Sequence, residues 1–329
     1  SLVTDKTRDV PVFVVGNGPS LDSLLPYLKE EKEKAIIISC GTALQSLYKN
    51  NIVPDFHAEI EMNRATHDWA VRIGDKAYLK EIILLSCNGI HPDTRNLYKS
   101  TLLAFKQGEA STVALMEAYG KHDFKLLEHA YPTVSNFVID LVASLGVHQV
   151  YLLGIDLGFI SDKYHHSKSS GYYLDNGQEL YDYSDTNNTS VVVPGNLRPW
   201  VSTKFEFKVS KSVIEQRIAK SKADFYNLND GARITGASPL KPEDLLVLST
   251  PSQKDAFVAK VCEQAFEPLD KTRLTDGLSQ RFSKPALLEE FDSLIALCDE
   301  NEVDSHSSLA AFVELQREFI VSSLSLIHI

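Results

Sequence analysis

The chain is poor in several features that mark common protein classes. Its four cysteines, Cys40, Cys87, Cys262 and Cys298, lie far apart and form no CxxC pair. A disulfide framework and a zinc ribbon are therefore poor readings, and reduced thiols of a cytoplasmic protein are expected. No apolar run approaches the roughly 18 residues that a membrane helix needs. The opening SLVTDKTRDV lacks the apolar core of a secretory leader. No internal repeat or low-complexity tract is present. Positive charge is in deficit: 33 Lys and Arg against 44 Asp and Glu leave a net charge of −11. That balance argues against a non-specific nucleic-acid binder.

What remains is an ordinary globular composition, 43% hydrophobic and 23% charged over 329 residues, long enough for about two domains. Short apolar runs at Val12–Val15, Ile36–Ile38, Phe56–Ile60, Ile82–Leu85, Thr101–Phe105 and Val150–Ile155 read as buried strands. Between them, Thr42–Lys49, Ala65–Ile73, Ser111–Tyr119 and Ser135–Leu145 carry helical spacing. Strands alternating with helices predict a Rossmann-like, mostly parallel α/β sheet covered on both faces. Ser161–Pro199 is rich in Tyr, Asp, Asn and Ser, with little periodicity, and reads as a lid over about residues 160–200. Its tyrosines Tyr172, Tyr173, Tyr181 and Tyr183 suit carbohydrate or peptide contact, and equally the packing of the lid onto the body. Lys204–Lys220 reads as a helix and Phe225–Leu228 as a last strand. Helical patterns at Gln253–Phe266, Pro285–Glu300 and Ser307–Ser323 end the chain. The expected division is a catalytic domain over 1–249 and a helical C-terminal region over 250–329.

Two turns carry chemistry. Gly16-Asn17-Gly18-Pro19-Ser20 follows the first strand and opens the first helix. Its glycines permit close backbone approach, and Ser20 reads as an N-cap on a helix start suited to phosphate. Asn17, on a turn, is expected to be replaceable with little loss of stability. The loop is neither a dinucleotide fingerprint nor a Walker A loop, because Leu21 replaces the third small residue and no Lys-Ser/Thr follows. Cys40-Gly41-Thr42 repeats the pattern after the second strand. Two such turns side by side in a doubly wound sheet point to a nucleotide site.

Together, VVGNGPSL, ISCGTAL, PDFHAEIEMN, GIDLGF with a following His-His-Ser, and FYNLNDGARITGA resemble the motility-associated factor (Maf) flagellin glycosyltransferases. The sheet domain is also similar to bacterial CMP-sialic-acid sialyltransferases, whose fold is a GT-A-like variant. The resemblance spans roughly Val12 to Pro239. It implies a CMP-nonulosonic acid donor such as a pseudaminic acid, an acceptor on flagellin or another protein or glycan, and no tightly bound cofactor. By the same resemblance, Asn17, Gly18 and Ser20, with Gly16 in the same turn, would hold the phosphate and ribose of CMP. Gly41, Thr42 and Asn63 would lie by the donor, Thr133 and Ser135 at its carboxylate or phosphate, and Asp156 on the cytidine side. One departure stands out. A tyrosine expected just after GID is absent from Leu157-Gly158-Phe159, leaving Lys163 or Tyr164 to assist the leaving phosphate.

Transfer from such a donor needs a base for the acceptor hydroxyl. Histidine suits that role near neutral pH. His165 is the leading candidate and His166 the second; in isolation they read as a solvated loop pair. His57, His91 and His148 sit in or beside apolar elements and read as structural. There is no DxD motif, and no metal ligand is assigned. Glu59 and Glu61 alternate on an expected strand, a spacing that would put both on one side, although such pairs more often serve edge solvation. They become Mg²⁺ candidates, with Asp156, only under an alternative reading: an ATP- and Mg²⁺-dependent 6-hydroxymethyl-pterin pyrophosphokinase-like enzyme. A third reading is a non-enzymatic flagellar assembly factor.

Overall fold

The computed structural model describes residues 10–120, 124–160, 165–174, 176, 178, 180, 191–281, 283–301 and 303–323. They divide into two compact units, one within Ser1–Ala104 and Leu126–Glu267, the other within Phe105–Lys125 and Pro268–Ile329. The strands are β1 Val12–Val15, β2 Ile36–Cys40, β3 Phe56–Glu59, β4 Ile83–Cys87, β5 Ser100–Lys106, β6 Leu126–Leu127, β7 Gln149–Leu153, β8 Val191–Pro194, β9 Trp200–Thr203, β10 Asp224–Asn227 and β11 Ala237–Pro239. The first helices are α1 Leu21–Glu31, α2 Ala43–Lys49, α3 Ala65–Val71, α4 Lys76–Glu81, α5 Pro92–Arg95 and α6 Ala110–Tyr119. They are followed by α7 Val134–Leu145, α8 Phe205–Ala219, α9 Pro251–Lys260, α10 Lys271–Arg281, α11 Lys284–Asp299 and α12 His306–Ser323.

Among the described residues nine strands form one sheet in the order β11-β10-β7-β1-β2-β3-β4-β5-β6. The pairs from β11 to β5 are parallel. Alternation along β1 shows why the strands read as unbroken apolar runs. Val12 and Val14 enter one core with Ile36, Ile38, Phe137, Ile139 and Leu152. Phe13 and Val15 enter another with Leu24, Leu28, Ile37, Leu47 and Leu153. Both faces are covered, so neither face of the strand can be polar. The Rossmann-like α/β expectation is borne out.

Chain order sets the place for a site. From β1 the chain runs outward through β2 to β6, then returns to lay β7 on the other flank of β1. The loops leaving β1 and β7 at their carboxyl ends therefore diverge, and a doubly wound sheet opens its ligand crevice at that switch point.

The structure departs from the sequence reading in several elements. The stretch read as an irregular lid ends in an antiparallel hairpin, with Val191 opposite Thr203 and Pro194 opposite Trp200. Val193 and Val201 point inward and are buried, whereas Val192 and Trp200 lie on the outer face. Phe225–Leu228 is not the last strand, since β11 pairs with β10 beyond it. The helix expected over Gln253–Phe266 ends at Lys260 and continues as a π turn, Val261–Ala265. Thr250 and Gln253 form a capping box at the start of α9. Its Lys254 pairs with Asp55 at 3.0 Å, which fastens α9 to the sheet unit.

In the second unit α6 packs on α10. Gly277 lies so close to the Ala118 carbonyl that a Cβ would sit 1.7 Å from it. The Asp270 amide donates to the Tyr119 hydroxyl at 3.1 Å. No helix among the described residues is long and apolar enough to cross a membrane.

Candidate functional site

A cavity of about 390 Å³ opens at the switch point, within the range of small-molecule sites. Its wall brings together Gly16, Asn17, Gly18, Gly41, Thr42, Asn63, Thr133, Ser135, Asp156, His165 and His166. These come from the loops after β1, β2, β3 and β7, the start of α7 and the segment after Phe159. Lys163 and Tyr164 lie outside the described residues.

The first loop is built differently from a phosphate cradle. The Gly16 amide donates to Leu153 at 2.8 Å and the Gly18 amide to Gly154 at 2.7 Å. A Cβ at Gly18 would lie 2.0 Å from Asp156 Oδ2. The glycines are thus required by the approach of the β1 and β7 loops to each other. Ser20 is not the side-chain N-cap that its position suggests: it has helical angles and makes no capping bond. Its hydroxyl donates instead to Asp156 Oδ1 and accepts the Asp230 amide at 2.9 Å. Ser20 is absent from the cavity wall.

Asn17 is likewise more than a turn residue. Its Nδ2 donates to Thr42 Oγ1 at 2.9 Å, and its Oδ1 accepts from the Ser46 hydroxyl at 2.9 Å. Its carbonyl accepts the Ser167 amide, also at 2.9 Å. Asn17→Ala leaves the buried Ser46 hydroxyl without this acceptor. It is expected to cost about 1–3 kcal/mol, measured by urea denaturation. An unchanged midpoint would return Asn17 to the role of a replaceable turn residue.

Burial dominates the carboxyl on the cavity floor. Despite the Ser20 hydroxyl and amide, desolvation pushes Asp156 up to about 7, and Asp230 nearby pushes the same way. The start of α7 forms another wall. Thr133 is its N-cap and accepts the Asn136 amide at 3.4 Å. The first amides of this 12-residue helix have no partner within the helix, and Thr133, Val134 and Ser135 line the cavity, an arrangement suited to an anion. Beside them Cys40 is buried and hydrogen-bonded to Ser135, with burial pushing its thiol up to about 12, so it stays an inert thiol.

Glu59, the last residue of β3, and Glu61, beyond the strand's end, both line the cavity. Glu59 is tied to His57 Nε2 at 3.2 Å, and His57 Nδ1 lies 2.7 Å from Ser39 Oγ. This buried His57 is structural, as expected. Asp156 and Glu59 are thus already committed to protein partners, a poor arrangement for a shared cation. Among the described residues, no group of three or more His, Cys, Asp or Glu could hold a metal ion.

The two lid histidines differ. His165 stacks on Phe159 with ring centres 4.2 Å apart, and its buried Nε2 has no hydrogen-bond partner among the described residues. His166 stacks on Tyr172, also at 4.2 Å. Burial, with Lys204 and His165 nearby, pushes its imidazole down to about 4. The segment after them is fastened to the sheet unit: Ser167 Oγ donates to Asp22 at 2.5 Å and the Lys168 amide at 3.0 Å. Ser167, Ser170 and Tyr173 are buried, anchors that the polar composition concealed. Trp69, Thr66 and Phe207 complete the wall. Sequence patterns did not single them out, because isolated aromatics and threonines on helices carry no distinguishing spacing.

Fold and crevice together define a doubly wound α/β protein with a cavity of small-molecule size at the topological switch point. Residues 1–162 match the family model described as 6-hydroxymethylpterin diphosphokinase MptE-like. A solved structure, the Maf glycosyltransferase from Magnetospirillum magneticum AMB-1, is similar with a TM-score of 0.73 and 22% identity. The match covers 99% of this chain and 50% of that one, so the chain spans half the length of that relative. No curated protein sequence matches. The likeness to the Maf family expected from the motifs is borne out in the fold.

Proposed function

We propose that the cavity is the donor site of a cytoplasmic glycosyltransferase that moves a nonulosonic acid from CMP to a hydroxyl acceptor, such as Ser or Thr of flagellin. The observation that carries this reading is His165, which lines the same cavity as the start of α7 and whose buried Nε2 has no hydrogen-bond partner among the described residues. A glycosyl transfer needs both: dipoles for a departing phosphate and a base for the attacking hydroxyl. In this reading the amides of Val134 and Ser135 hold the donor's anionic group. Asp156 takes the cytidine side, and Asn63 borders the sugar. His165 accepts the acceptor proton as the new C–O bond forms and the bond to CMP breaks, inverting the anomeric carbon. CMP then leaves as a monoester.

The family description keeps an ATP- and Mg²⁺-dependent pyrophosphokinase as the second reading. Calorimetric titration separates the two. CMP is expected to bind without added metal, and ATP with Mg²⁺ is expected to bind weakly or not at all. Binding of ATP with Mg²⁺ but not CMP would move the assignment to the kinase; binding of neither would favour a protein-docking role.

A further inference from the structure

The β8–β9 hairpin is wired to the cavity floor through a chain of polar contacts. Arg198, in the hairpin turn, places Nε 2.8 Å from Asp230 Oδ1 and its second guanidinium nitrogen on Oδ2. This is the two-pronged geometry that Arg alone supplies. The Asp230 amide donates to Ser20 Oγ at 2.9 Å, and Ser20 donates to Asp156 Oδ1.

Backbone contacts lock the same path. Asn196 Nδ2 donates to the Asn227 and Asn229 carbonyls at 2.9 and 2.7 Å. The Asn196 amide donates to Gly231 at 2.9 Å and the Arg233 amide to Pro194 at 2.9 Å. The Ala232 amide donates to the Asp156 carbonyl at 2.7 Å. A Cβ at Gly231 would lie 2.2 Å from that carbonyl oxygen, so the turn sits directly against Asp156. On the other side of the hairpin, Thr203 Oγ1 donates to the Leu157 carbonyl at 2.7 Å. Leu157 itself is held at φ 46, a conformation that a leucine adopts only under constraint.

We propose that Arg198 and Asp230 form a positioning relay: they fix the Asp156 carboxyl through the Ser20 hydroxyl, and so couple the seating of the hairpin to how firmly the cavity holds a nucleotide. Neither residue lines the cavity. Both act through Ser20 and Asp156, and the proposal rests on the nucleotide reading of the site. The charged and titratable groups around Asp156 are Asp230 with its partner Arg198 on the turn side, and His165, His166 and Glu59 across the cavity.

The relay makes a prediction with opposite signs. Asp230 lifts the Asp156 carboxyl, and the Arg198 guanidinium offsets that charge. Arg198→Ala therefore raises the pH midpoint of nucleotide binding. Asp230→Asn keeps the backbone amide on Ser20 and lowers the midpoint. CMP affinity at pH 7 is expected to fall about two- to fivefold in Arg198→Ala, the scale of a partly exposed ion pair. Arg198→Lys restores the charge but not the fork, and so recovers the midpoint more than the affinity.

Calorimetry with CMP from pH 5.5 to 8.5 on the full chain reads all three variants. Midpoints displaced in opposite directions support the relay. Wild-type affinity and midpoint in both Arg198→Ala and Asp230→Asn, with CMP binding intact, would overturn it alone. A wild-type protein that binds no CMP at any pH would overturn the nucleotide reading and the relay with it.

Discussion

Gly154→Ala is expected to be among the most damaging single methyl groups that can be added to this chain. Gly154 has φ +65, and a Cβ there would lie 2.3 Å from the Gly16 carbonyl oxygen and 2.9 Å from its carbon. Both atoms are backbone, so no side chain can swing aside. Relief requires the β1 and β7 loops to separate. That breaks the bonds from Gly16 to Leu153 and from Gly18 to Gly154 and withdraws Asp156 from Ser20. The expected cost is about 3–5 kcal/mol, at the upper end of single substitutions, together with loss of the cavity.

Gly146 supplies the control. It ends α7 at φ +79 with nothing within 4 Å of a added Cβ, so Gly146→Ala isolates the left-handed backbone term, about 1–2 kcal/mol. Urea denaturation of both variants measures the difference. Equal losses would show that backbone conformation alone, and not the packing of the two loops, makes glycine necessary at position 154.

That contact also marks where the sequence was readable and where it was not. β1, β2 and β4 were legible because strands buried on both faces read as nearly continuous apolar runs, broken in β2 and β4 only by the small buried Ser39 and Ser86. The end of β7 was read two residues too far, through Ile155, because apolar character continues past the point where Gly154 turns the chain. β6 has two residues and β11 contains a proline, too little pattern for any periodicity argument. The β8–β9 hairpin did carry a signal, Val191-Val192-Val193, but the Tyr-, Asp- and Asn-rich stretch before it outweighed three residues.

Most of the site residues were legible as a set, since glycines and hydroxyls after successive strands must meet at one edge of a parallel sheet. Their individual duties were not. A serine before a helix looks like a cap, but the Ser20 hydroxyl serves Asp156, 136 positions away in the chain. Asn17 looked like a replaceable turn residue, and its two side-chain bonds lie on Thr42 and Ser46. Partners so distant in sequence leave no local spacing to read. The same holds for Arg198 and Asp230.

The largest kinetic effect is expected at His165. Within the proposed transfer reaction a positioned base is worth about 10²–10⁴-fold, and His165→Ala is expected to lower turnover of a CMP-nonulosonic acid by that factor. CMP affinity should change little, because the groups proposed to hold the nucleotide lie on the sheet loops and α7. His165 also stacks on Phe159, so alanine removes packing as well as a base. His165→Phe keeps a flat ring on Phe159 and removes only the nitrogens; it should lose as much activity as alanine while melting close to the wild type.

His166 sharpens the assignment. Its imidazole, pushed down to about 4 by burial and by Lys204 and His165, is a weak proton acceptor at neutral pH. A base works best with its pKa near the operating pH, so His166→Ala should cost less and act through the lost stack on Tyr172. Near-normal turnover in His165→Phe, with CMP binding intact, would remove His165 as the base. A greater loss in His166→Ala than in His165→Phe would reverse the order of the two residues.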